Sequence, residues 1–146
     1  MATFYSEQVT AGNRSPAGRG DTGKVKVYWG EYVTVGTEAQ DDIIEMVDIP
    51  AGSLVIGGGI TWSADCGTCT LDVGITGGTV DAFVDGANAG TAAGGAMFIP
   101  ADLTDSLAAY FGSADSIDVE VQTATGTLTA GVTITVYALV VEAHDS

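Results

Sequence analysis

Positive charge is nearly missing from this 146-residue chain. Its four lysines and arginines are Arg14, Arg19, Lys24 and Lys26, and none follows residue 26. Of its 19 carboxylates only Glu7 and Asp21 come earlier, so the remaining 17 lie in a body with no basic side chain to pair with. Such a body repels phosphate backbones and anionic membranes, which excludes nucleic acid and acidic lipid as its partners. Histidine is scarce too: a Ser-His-Asp mechanism, or a histidine-rich metal site, would have to use His144 alone. The two cysteines, Cys66 and Cys69, are too few for a structural zinc site within one chain. No apolar run approaches the ~20 residues that cross a bilayer. The first residues, MATFYSEQVT, have neither a basic nor an apolar leader region, so no signal peptide is expected.

Helical periodicity is nearly absent as well, and what replaces it is alternation. Alanine, glycine, threonine and valine make up just over half of the chain, a mixture that favours short strands joined by turns. In residues 25–35, Val25, Val27, Trp29, Val33 and Val35 share one face, which this spacing assigns to the core. Leu71, Val73 and Ile75 alternate with Asp72 and Gly74. Ile117, Val119 and Val121 alternate with Asp118, Glu120 and Gln122. Glycine or proline separates the runs at 50–52, 57–59, 77–78, 94–95 and 126. Strands are predicted at 25–35, 43–48, 53–62, 68–76, 79–85, 96–99, 107–111, 116–123 and 130–142. Helical turns compete at 37–47 and 101–111. No fixed repeat is visible, which disfavours solenoids and propellers. The pattern predicts an all-β protein: a jelly-roll or related antiparallel β-sandwich over 25–146, preceded by an extended, glycine-rich N-terminal arm over 1–24.

The last strand is apolar on both faces. Val132, Ile134, Val136, Ala138 and Val140 face one way, and Tyr137, Leu139 and Val141 face the other. A strand of this kind needs cover on both sides. The second face is covered either by a loop or the arm, or by a neighbouring subunit that Tyr137, Leu139 and Val141 would meet.

Little in the chain promises chemistry. The spacing Cys66-Gly67-Thr68-Cys69 opens a strand rather than a helix, so its thiols read as packed or oxidised in a turn, with a metal shared between subunits as the sharper option. Asp41, Asp42, Glu45 and Asp48 are the densest carboxylates, and Asp81 and Asp85 form a second group; each is either a calcium site or a solvated acidic surface. There is no nucleophile elbow, and Gly57-Gly58-Gly59 is followed by neither lysine nor helix, so it is no phosphate loop. Neither an enzyme nor a cofactor-binding protein is expected. Arg19-Gly20-Asp21 spells an adhesion tripeptide, but in a glycine-rich arm without a secretion signal it reads as coincidence.

Three stretches together resemble small structural proteins of tailed bacteriophages, above all head decoration or cement proteins: DIIEMVDIPAGSLVIGGGITW (42–62), LDVGITGGTVDAFVDGANAGTAAGG (71–95) and SIDVEVQTATGTLTAGVTITVYALVVE (116–142). The resemblance covers roughly residues 42–142 and carries no catalytic residue. It implies a β-sandwich or jelly roll on the virion's capsid surface, assembled in the host cytoplasm and clustered with copies of itself as a homotrimer or another symmetric oligomer. Its partner would be the major capsid protein. Arg14, Arg19, Lys24 and Lys26 would then bind carboxylates of a neighbouring subunit or of the capsid. The alternatives are a carbohydrate-binding or adhesive module, with Tyr28, Trp29, Tyr32 and Trp62 as an exposed aromatic cluster, or a head-fibre or tail component.

Overall fold

The computed structural model describes residues 1–5, 25–75, 77–98 and 110–142. Among them are ten strands: β1 (Thr3–Tyr5), β2 (Val25–Val33), β3 (Ile43–Ile49), β4 (Ser53–Trp62), β5 (Cys69–Gly74), β6 (Val84–Asn88), β7 (Gly94–Met97), β8 (Tyr110–Phe111), β9 (Asp115–Ala124) and β10 (Thr133–Glu142). One sheet has the order β1-β3-β9-β5-β6, and the other has β2-β10-β4-β7 with β8 on β4. If β1 and β8 are set aside, the first of the eight remaining strands pairs with the last, the second with the next to last, the third with the last and the sixth, and the fourth with the next to last and the fifth. That nesting of long-range antiparallel pairs is the jelly roll. Its pairings join residues far apart in sequence, as between β2 and β10.

The core lies between the sheets and is built from alternate residues of each strand. Ile134, Val136, Ala138 and Val140 of β10 face Ile44, Val47, Leu71, Val73, Ile117, Val119 and Val121 of the opposite sheet, within a single buried cluster. A bulge in β3 between Glu45 and Val47 breaks the alternation, so that Met46 and Val47 are both fully buried. Phe83 and Phe98 stack at 4.8 Å and fill the glycine-rich end.

Two loops are held by carboxylates instead of by helix. Glu38 is fully buried, and its carboxylate accepts hydrogen bonds from Tyr32 Oη (2.5 Å) and from the amides of Val35 (2.7 Å), Gly36 (2.9 Å) and Thr37 (3.1 Å). Burial works against the charge, but these donors outweigh it and hold the Glu38 carboxyl below its usual range. Asp42 accepts from the amides of Ala2 (2.7 Å) and Ala39 (2.9 Å).

Several sequence expectations change here. The helical turn expected at 37–47 is absent, because side-chain acceptors at 38 and 42 take the amides that a first helical turn would leave open. The sixth strand runs 84–88 instead of 79–85, because residues 79–82 close a turn in which the Ala82 amide donates to Thr79 O. The 101–111 helix lies outside the described residues except for Tyr110 and Phe111, which form β8. Thr3–Tyr5, inside the span expected as arm, pairs in parallel with β3.

The glycine run of β4 acquires a packing role. A Cβ on Gly58 would come within 2.2 Å of Tyr137 O and 2.6 Å of the Phe98 ring. Gly58→Ala should therefore prise β4 from β10, costing ~1–3 kcal/mol by urea unfolding. An unchanged midpoint would show that the two backbones do not approach this closely.

Candidate functional site

Strand β2 is an edge of its sheet, and its two faces differ in an unexpected sense. Tyr28, Gly30 and Tyr32 turn inward, while Val25, Val27, Trp29 and Val33 turn outward, with Val35 exposed beyond the strand end. Trp29 is 48% exposed. The sequence reading put this valine-tryptophan face in the core, and the structure reverses it. Alternation alone marks two faces without saying which is inner. The tyrosines win the interior because Tyr32 reaches the Glu38 carboxylate and packs its ring on Phe4, centroids 6.0 Å apart.

The outward side chains of β2 continue across the sheet. Register sets Val25 beside Val141, Val27 beside Leu139 and Trp29 beside Tyr137. On the far side of β10, Val141 lies beside Leu54, Leu139 beside Gly57 and Tyr137 beside Gly59. Gly59 pairs with Met97 of β7, which is 66% exposed. Tyr137 lies over Gly59, where a Cβ would come within 3.0 Å of its ring and hydroxyl, and that hydroxyl donates to Met97 Sδ at 3.3 Å. With exposed Ile56, these residues form an apolar surface across the sheet, bounded at one end by the row Glu31, Thr135 and Thr61. On a body this acidic, a face whose charge among these rows is Glu31 alone is where another protein surface approaches with least repulsion.

Of the residues expected to contact a partner, Tyr137, Leu139 and Val141 are brought together here, half-buried between β2 and β4. Lys26 lies on the inward-facing register of β2, its Nζ 3.1 Å from Glu142 Oε2 of the same chain. Arg14, Arg19 and Lys24 lie outside the described residues, as does His144. Sequence reasoning assigned Val25, Val27 and Trp29 to the core, with Trp29 outside only in the sugar-binding alternative, and did not single out Met97. The signal was present in β2 as a second apolar periodicity, Tyr28 and Tyr32, competing for the core.

The other candidates resolve differently. Tyr28, Tyr32 and Trp62 are buried while Trp29 is outside, so the aromatic cluster expected of a sugar-binding module is not assembled. Cys66 and Cys69 are free and buried. The hydrogen bond to Cys69, with burial, holds the Cys66 thiol protonated, far above the usual range. Among the described residues no group of three His, Cys, Asp or Glu side chains could hold a metal. Asp81 and Asp85 do not share a strand, since β6 starts at Val84.

Asp72 is buried beside β6, and its carboxylate accepts the Gly86 amide at 2.6 Å. Burial, reinforced by Asp85, Asp81 and Glu120, pushes its carboxyl up to about 6 from 3.8 despite that hydrogen bond. A carboxyl raised in the folded state favours folding when protonated, so its charge opposes stability at pH 8 and ceases to do so as pH falls below both values. Asp72→Asn keeps an acceptor for Gly86. It should raise the urea midpoint at pH 8 and match the wild type near pH 3.5; an equal midpoint at pH 8 would refute the buried charge.

No family model and no curated protein matches this chain. Two solved structures do. A chain in the capsid of Ralstonia phage GP4 superposes with a TM-score of 0.71 at 21% identity, covering 99% of this chain and 100% of that one. A chain in the capsid asymmetric unit of cyanophage Pam1 superposes with a TM-score of 0.54 at 21% identity, covering 86% and 91%. At this identity the likeness shows a shared fold.

Proposed function

We propose that this chain is a structural protein of a phage virion, a decoration or cement protein that binds the outside of the capsid and stabilises it. The observation that carries the reading is the outward apolar face of β2, β10, β4 and β7, centred on Trp29, Tyr137 and Met97. A sandwich whose interior is already filled has no internal use for that surface, and a protein partner does. The likeness to chains of two phage capsids, over the full length of one, supports the same setting.

In this reading the rigid jelly roll supplies shape and the sheet face supplies contact. The partners are the major capsid protein and further copies of this chain, assembled as a trimer on the capsid surface. Multivalent attachment lets modest single contacts hold against internal pressure. No catalytic step and no cofactor belong to this role. Lys26 is engaged by Glu142, so attachment rests on the apolar face and leaves Arg14, Arg19 and Lys24 for carboxylates elsewhere.

The test is binding to heads of the source phage assembled without this chain, followed by co-sedimentation and by resistance of the heads to heat. Wild-type protein should bind and raise the temperature at which the heads open. Trp29→Ser with Met97→Ser should weaken binding by at least ~10-fold, since buried aromatic anchors dominate such interfaces. Their effect on the urea midpoint of the isolated protein should stay within ~0.5 kcal/mol, as expected for exposed positions. Undiminished binding by the double variant would remove this face from the proposal, and a wild-type protein that binds no heads would remove the function.

A further inference from the structure

Where β3 ends and β9 begins, beside β2, the surface opens into a cleft of about 420 Å³ lined by Tyr28, Glu45, Asp48, Ile49, Asp115 and Ser116 among others. Its charge is of one sign. Glu45 and Asp48 come from β3 and Asp115 from β9, and no lysine, arginine or histidine is among the described lining residues. Burial pushes the Glu45 carboxyl up, and Asp118, Asp48 and Asp115 add to the push. Lys26, two residues before Tyr28 on the same face of β2, is bound to Glu142.

A second observation is independent of those carboxylates. Tyr28 is only 6% exposed, and its hydroxyl has no hydrogen-bond partner. Buried hydroxyls are ordinarily satisfied. Tyr28 itself lines the acidic cleft, and its buried hydroxyl carries an acceptor oxygen as well as a proton.

The chain itself passes both walls of the cleft. β1 runs parallel to β3, and its last residue, Tyr5, is the register partner of Glu45, one of the lining residues. The backbone re-enters the described structure at Val25, three residues before Tyr28. The intervening residues 6–24 hold three of the chain's four basic residues, Arg14, Arg19 and Lys24.

We propose that this cleft is a receptor for a cationic side chain, an arginine or lysine from residues 6–24 of the same molecule, held by the carboxylates of Glu45 and Asp115 with the Tyr28 oxygen as a further acceptor. A guanidinium suits such a site because its several donors serve carboxylate and phenol oxygens at once. The contact would fasten the first part of the chain to the body through the acidic surface nearest to it. It holds whether or not the protein attaches to a capsid.

The full-length protein provides the test, as thermal midpoints at low ionic strength and neutral pH. Tyr28→Phe and Glu45→Gln are each compared in the natural chain and in a chain carrying Arg14→Gln, Arg19→Gln and Lys24→Gln. With the cation in place, both substitutions should lower the midpoint, by roughly 2–4 °C. Without it the sign should reverse: phenylalanine removes an unsatisfied hydroxyl, and glutamine relieves repulsion among Asp48, Asp115 and Asp118. If the triple variant does not fold, the cycle is read on the three single replacements, and at least one must show the reversal. Tyr28→Phe raising the midpoint in both chains would overturn the proposal. So would a coupling that grows with protein concentration, which would mean that a neighbouring copy supplies the cation.

Discussion

The constraint on which the structure depends is that β10 must be covered on both faces. It is a central strand of its sheet, bonded to β2 along one side and β4 along the other. Its inner face, Ile134 to Val140, is sealed by the opposite sheet. Its outer face carries Tyr137, Leu139 and Val141, and no strand of the described residues lies above them. Neighbouring strands adapt to this. β4 supplies Gly57, Gly58 and Gly59, which let Leu139 and Tyr137 spread across it on one side and Phe98 approach on the other. β2 adds Val27 and Trp29 in register. The outer face is therefore a collective property of three strands around one.

The acidic composition is managed by location. Glu38 and Asp42 are buried where loop amides need acceptors, so their charge organises turns that would otherwise lack helix or strand partners. Asp72 is buried with fewer donors and with acids as neighbours, and its proton affinity rises accordingly. The outer sheet face is spared. Charge and apolar surface thus occupy different regions of the molecule.

A jelly roll says little about function by itself, since the same fold serves many purposes. The narrowing comes from the surface. The described residues lack a metal-binding group, and the aromatic residues that would stack on sugars are mostly inside. The large feature that remains is an apolar sheet face, suited to another protein surface.

Much of the fold was legible in the chain, because strand pairing leaves a period of two and turns leave glycine. The positions of β3, β4, β9 and β10, the two-sided character of β10 and the poverty of catalytic groups all follow from residue order and composition. The shift of β6, the carboxylate-held loop at 37–42 and the orientation of β2 do not. Alternation in β2 defines Val27 and Trp29 against Tyr28 and Tyr32, and both sets are apolar enough for a core. Only the tertiary structure decided between them, because the choice turned on Glu38 and Phe4, which wait inside for Tyr32 and which no local pattern could place there.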